Sequence, residues 1–280
     1  MLSILLMQLT SCTAPSYYSQ AISGHMKLMR ERQSIETLIE SEQTDPALAG
    51  KLTLALQIRE FAASRLGLDT GDSYTQYVAT GQSAATWNVV AAPEFSLKPR
   101  TWCFPVSGCV AYRGYFKQEA AEEYAQKLAD KALDVVVSPA IAYSTLGWFD
   151  DPLLDTMLQY SEEQLAAFIF HELAHRQLYV KGDSAFSEAY ASFIEETGVL
   201  LWLEATGREA RLDGWRVRQQ ASNEFRDLLL ETRQQLSEVY AADNAASEKR
   251  AQKASLFDEL EIAYQAMVRD EWQGQDYYAG

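Results

Sequence analysis

The sequence predicts an α+β protein, mostly helical, with a small sheet in its middle and a helical hairpin at its C-terminal end. Two long stretches, one before Gly67 and one after Ser161, place apolar residues at helical spacing between recognisable caps. Between Tyr74 and Phe116 the chain breaks into short apolar runs bounded by Pro93, Pro99, Pro105 and Gly108, the texture of strands and turns. From Trp215 to Trp272 two apolar stripes alternate with charged residues, as in a solvated pair of helices. With 280 residues, 48% of them apolar, the chain can bury a substantial core.

The elements follow in order. From about Met26 to Leu66 two helices are expected, separated where Asp45 supplies an N-cap and Pro46 a first-turn proline, and ended by Gly67. Trp87–Ala92 and Val110–Phe116 read as strands, and a helix from about Lys117 to Leu133 leads to Asp134–Pro139, which its proline marks as an edge strand or strand end. Ala142–Pro152 is a loop rich in aromatic and turn residues, a kind that often lines sites. Ser161 and Gln164 form a capping box that opens a helix expected to reach about Val180. A second helix runs from about Ser184 to Ala205, with Phe186, Ala189, Tyr190, Phe193 and Thr197 on one face and Gly207 beyond its end. Phe225, Leu228, Thr232, Leu236 and Val239 make the first stripe of the C-terminal hairpin, and Leu256, Leu260, Tyr264 and Met267 the second. The sequence carries no 20- to 50-residue repeat.

Charge excludes some partners. The 24 basic and 39 acidic residues give a formal net charge of -15, which repels phosphate backbones and anionic lipid surfaces, so nucleic acid is not an expected partner. The N-terminal segment, Met1 to Cys12, is apolar up to Gln8 and ends Leu9-Thr10-Ser11-Cys12, which resembles a bacterial lipobox; no Lys or Arg precedes Lys27. The stretch is shorter than the about 20 apolar residues a membrane-spanning helix needs. The expectation is therefore lipidation at Cys12 and attachment to a bacterial cell envelope, facing the periplasm. The chain then divides into a signal segment 1–12, a core 13–207 and a helical extension 208–280. Cys103 and Cys109 flank Pro105 and Gly108, and a turn there favours a disulfide over a zinc site.

The strongest chemical signal is His171-Glu172-Leu173-Ala174-His175, two of the chain's three histidines in five residues. Histidines four apart share a helical face, so both imidazoles reach one cation, while Glu172, rotated about 100° from His171, flanks the open side as a general base. A catalytic zinc needs a third protein ligand and an open position. His25 is too far up the chain to serve, so the third ligand is expected to be a carboxylate. If the helices turn near Gly182, Glu188 stands at nearly the height of His175, which makes it the geometric choice. Glu195, two turns further, is too far to ligate but could hydrogen-bond a ligating histidine. Asp183 is expected to cap the following helix.

This motif, followed by Leu178-Tyr179-Val180-Lys181-Gly182-Asp183 and Phe186-Ser187-Glu188-Ala189-Tyr190-Ala191, resembles the bacterial family of predicted aminopeptidases, a gluzincin-like kind frequently described as lipoproteins. The resemblance implies a zincin-like fold, one zinc ion, and peptide hydrolysis, with aminopeptidase action the softer part. Three features depart from better-known gluzincins. Twelve residues separate His175 from Glu188, the Gly-Ala-Met-Glu-Asn exopeptidase motif is absent, and Ser192 stands where thermolysin-like enzymes carry a histidine-orienting Asp. The expected mechanism has zinc lower the pKa of a water toward about 7 while Glu172 takes its proton and delivers it to the leaving amine. The oxyanion donor stays open among Tyr143, Tyr179 and Tyr190. The rival expectations are an endopeptidase of the same zinc type and a lipid-anchored zinc-binding scaffold without catalysis; an intact Glu172 argues against the second. Oligomeric state is not legible.

Overall fold

The structure is a computed structural model that describes residues 14–104, 108–142 and 150–278. The signal segment with Cys12, and Tyr143, lie outside the described residues. The chain is α+β and mainly helical, as its periodicities predict. It begins α1 (Ala14–Arg30), β1 (Gln33–Ser34), α2 (Ile35–Glu40), α3 (Pro46–Leu66), β2 (Gln76–Val78), β3 (Thr86–Pro93), β4 (Trp102–Phe104), β5 (Gly108–Val110) and β6 (Arg113–Tyr115). It continues α4 (Gln118–Ala129), β7 (Leu133–Ala140), β8 (Leu153–Leu154), α5 (Glu162–Gln177), α6 (Ser184–Ala205), α7 (Leu212–Ala241) and α8 (Ala246–Ala266), closing in a π-helical turn, Met267–Glu271.

Local chemistry sets the helix ends. Asp45 Oδ1 accepts the Ala47 and Leu48 amides at 3.0 and 3.1 Å, Pro46 opens α3 where its missing N–H costs nothing, and Gly67 ends it at φ 67°. The helix α5 stops at Gln177, short of the expected Val180, because Leu178 swings to an extended backbone at φ -148°.

The strands correct a simpler expectation. Instead of the one small sheet expected in the middle of the chain there are, among the described residues, three, ordered β1-β2-β8, β6-β3-β7 and β4-β5. In the first, β8 pairs parallel with β2 through Tyr77↔Leu153 and Val78↔Leu154, a pairing of two-residue segments too short to show alternation. Pro139 lies in β7, at a sheet edge where no ladder bond is needed from it. Cys103 and Cys109 are cross-strand partners in the β4-β5 hairpin and are joined by a disulfide.

The chain packs as two compact units. The first comprises the described residues of 1–89, 113–126 and 137–195, the second 90–112, 127–136 and 196–278. The first half of α6, with Glu188 and Glu195, therefore belongs to the first unit. Its core is made where α3 meets α5: Leu52, Ile58, Phe61 and Ala62 pack toward Leu165, Ile169, Phe170 and Leu173, with the Phe61 and Phe170 rings 6.1 Å apart. Burying a side chain of this size contributes about 1.5–3 kcal/mol, so α5 is fixed by its apolar face and its polar residues are presented on the other. In the second unit α7 and α8 form the expected hairpin, and Ala221, Val268 and Trp272 centre a cluster with Phe225, Tyr264 and Tyr277. There Trp272 Nε1 donates to Glu224 at 2.8 Å, so the indole is buried without an orphaned donor. Among the described residues no helix is long and apolar enough to cross a membrane.

Candidate metal centre

The site is built on the C-terminal half of α5, the turn that follows it and the first half of α6. Ser161 Oγ accepts the Gln164 amide at 3.4 Å and Gln164 Oε1 accepts the Ser161 amide at 3.3 Å, so the capping box sets the register of α5. That register buries Leu165, Ile169, Phe170 and Leu173 and leaves His171 and His175 one turn apart. The chain reverses at Gly182, whose φ of 89° suits glycine. Asp183 Oδ1 accepts the Phe186 amide at 3.0 Å, which caps α6. Ser187, wholly buried, locks the reversal: its hydroxyl accepts the Val180 amide at 3.1 Å and donates to the Asp183 carbonyl at 3.0 Å. The residue after it is Glu188.

Glu188 thereby reaches both histidines. Its Oε2 lies 3.4 Å from His171 Nε2 and its Oε1 3.5 Å from His175 Nε2, while the two Nε2 atoms are 3.1 Å apart. For tetrahedral ligands at about 2.0–2.1 Å from a common centre the ligand–ligand edge is about 3.4 Å, so the triangle has the dimensions of a zinc-type site. Among the described residues His171, His175 and Glu188 form the group that can hold a metal ion. Burial is graded across it, with the His175, His171 and Glu188 side chains 6%, 22% and 61% exposed, so the carboxylate stands on the solvent side.

Glu195 hydrogen-bonds one of the two histidines. Its Oε2 accepts from His171 Nδ1 at 2.9 Å, which leaves the Nε2 lone pair facing the triangle. Desolvation lowers the pKa of His171, but the hydrogen bond to Glu195 and the charges of Glu172, Glu195 and Glu188 outweigh it and leave the value raised. The role that Ser192 cannot fill is thus geometrically available to Glu195, seven residues after Glu188 instead of four. His175 differs: its Nδ1 is buried without a hydrogen-bond partner among the described residues. Replacing Glu195 with Ala should weaken metal binding by roughly 10- to 100-fold without abolishing it. Competition against a chromophoric chelator measures this, and wild-type affinity in the variant would show that the carboxylate orients nothing.

A second network fixes the loop that leads into Tyr74. Arg176, next to His175, donates from Nη1 to Asp150 Oδ1 at 2.9 Å and lies 3.6 Å from Asp69 Oδ2 through Nε. The Asp72 amide donates to the same Asp150 oxygen at 3.1 Å, and Gln177 Oε1 accepts the Asp69 amide at 3.1 Å. Arg59 donates to the carbonyls of Ser73, at 2.8 Å, and Gly71. The segment from Asp69 to Tyr74 is thereby tied to the C-terminal end of α5. Gly71, at φ 45°, is required: a Cβ there would sit 2.1 Å from Arg176 Nη2 and 2.9 Å from Asp150 Oδ1. Gly71→Ala is expected to destabilise the protein by about 1–3 kcal/mol, the backbone strain and the displaced ion pair acting together. A urea unfolding midpoint equal to wild type would contradict it.

Of the tyrosines left open by the sequence, Tyr179 is 44% exposed with its ring centroid 6.3 Å from that of His175, and Tyr190 is half-buried. Tyr74, which sequence reasoning passed over, is 3% exposed and so placed that the charge of Glu172 acts on it. Arg176 was also passed over, although its position directly after the second histidine was a signal.

A family model described as "Putative aminopeptidase" matches residues 16–280. No curated protein and no solved structure matches the chain.

Proposed function

The chain belongs to the putative aminopeptidase family, and from this premise we propose that it is a zinc-dependent peptidase that removes N-terminal residues from peptides. The observation that carries the reading is the triangle of His171, His175 and Glu188, with edges of 3.1–3.5 Å, beside a glutamate that is not part of it. The donor set, two imidazole nitrogens and one carboxylate, is one that zinc accepts in catalytic sites with a position left open. When bound, zinc supplies Lewis acidity, polarising a carbonyl and bringing the pKa of a water toward about 7.

The chain's own residues do the rest. His171 is held in its ligating tautomer by Glu195, and Glu188 closes the set from the solvent side. Glu172, half-buried and one position along α5 from His171, accepts a proton from the attacking water at its carboxylate and returns it to the leaving amine nitrogen. The family description supports exopeptidase over endopeptidase action.

A peptide library presented in two forms, with free and with acetylated N-termini, separates the alternatives. Cleavage confined to the first residue of free peptides is expected. Cleavage of acetylated peptides at internal bonds would assign an endopeptidase, and no cleavage of either by fully zinc-loaded protein would contradict the proposal.

A further inference from the structure

Tyr74 stands out from every other residue near the site. Its φ is 62°, a left-handed backbone conformation that non-glycine residues adopt at a cost, and one that persists only where the surroundings enforce it. Here they do. The Tyr74 amide donates to the Asp151 carbonyl at 2.8 Å, and the Asp151 amide donates to Ser73 Oγ at 3.3 Å. Arg59 donates to the Ser73 and Gly71 carbonyls, and the Asp72 amide donates to Asp150, which Arg176 in turn holds. The effect of this framework is to aim one side chain inward: the ring is 3% exposed, yet among the described residues its hydroxyl makes no hydrogen bond. The hydroxyl is not one of the fully buried polar atoms that lack a partner, so it keeps an edge of solvent contact from which a bound ligand can reach it.

We propose that Tyr74 is a catalytic residue of this site, its hydroxyl donating a hydrogen bond to the oxygen that becomes negative when a peptide carbonyl is attacked. The inference rests on the peptidase reading above and fills the role that Tyr143, Tyr179 and Tyr190 left open. Burial, with the negative charges of Glu172 and Asp151, raises the phenol's pKa well above 10, so it stays protonated and can only donate at neutral pH. As the water oxygen bonds to the carbonyl carbon, the carbonyl π pair moves to its oxygen and the water proton passes to Glu172. When the carbon–nitrogen bond breaks, that pair returns to re-form the carbonyl and the proton leaves on the amine. Tyr74 keeps its own proton throughout and stabilises only the intermediate charge.

The test is Tyr74→Phe, which keeps the ring and the backbone and removes one oxygen. On the best peptide from the library, kcat should fall on the order of 10²- to 10³-fold with KM little changed. Zinc content should stay at wild-type level, and Tm should be unchanged or raised, because the deleted hydroxyl makes no hydrogen bond among the described residues. Affinity for an alanyl phosphinic pseudodipeptide, whose tetrahedral anion resembles the attacked carbonyl, should weaken in calorimetry. A wild-type kcat in the variant overturns the assignment while leaving the peptidase reading intact. A fall in Tm with loss of zinc also overturns it, since the hydroxyl would then be structural. Failure of the zinc-loaded wild-type protein both to bind the phosphinate and to cleave peptides would overturn the assignment together with the peptidase reading.

Discussion

Glu172→Gln should abolish peptide hydrolysis, by on the order of 10²- to 10⁴-fold, while leaving zinc content and fold in place. The expectation follows from a division of labour inside one turn of helix. The edges of the metal triangle are closed by His171, His175 and Glu188, and Glu172 contributes no ligand atom to it. Glutamine keeps the size and the half-buried position of the side chain but cannot accept a proton from water. Zinc by elemental analysis and hydrolysis of the best library peptide, measured on one preparation, decide the matter. Undiminished hydrolysis would mean either that another protein in the preparation is responsible or that Glu172 is not the base.

Glu188→Ala should have the opposite signature, losing metal and activity together. The Glu188 side chain is 61% exposed, so truncating it should alter stability by no more than about 0.5 kcal/mol, and lost metal could not be blamed on unfolding. Removal of a ligand should weaken binding beyond the roughly 10- to 100-fold expected for an orienting residue such as Glu195. Isothermal titration of the metal-stripped variant with zinc reads this directly. Wild-type affinity in Glu188→Ala would remove it from the ligand set.

The site was largely legible in the sequence because its geometry is local. His171 and His175 share a face by helical periodicity alone, and the height of Glu188 follows from counting residues on either side of Gly182. The 3.4 and 3.5 Å approaches of the Glu188 oxygens need only that a helix reverse into its neighbour. Glu195 was legible for the same reason, two turns along the same helix. Tyr74 was not. It reaches the neighbourhood of Glu172 through a left-handed backbone at φ 62° and a web of arginine and aspartate bonds spanning Arg59, Asp150 and Arg176, none of which leaves a periodic trace. The β1-β2-β8 sheet was hidden likewise, because β1 and β8 are two residues each and the parallel partners Val78 and Leu154 are remote in sequence. The capping box at Ser161 and the Asp45-Pro46 start of α3 were legible because caps are written in adjacent residues. The helix end at Gln177 was not, since nothing around Leu178 signals its extended backbone.

The central claim is that one zinc ion, held by this chain, is required for peptide hydrolysis. Stripping the purified protein with a chelator and titrating zinc back while following hydrolysis of a free-N-terminus peptide tests it most directly. The account predicts that activity disappears with the metal and returns in proportion to zinc, saturating at about one equivalent per chain. Hydrolysis that persists in the metal-free protein, or full zinc occupancy that restores none, would contradict it.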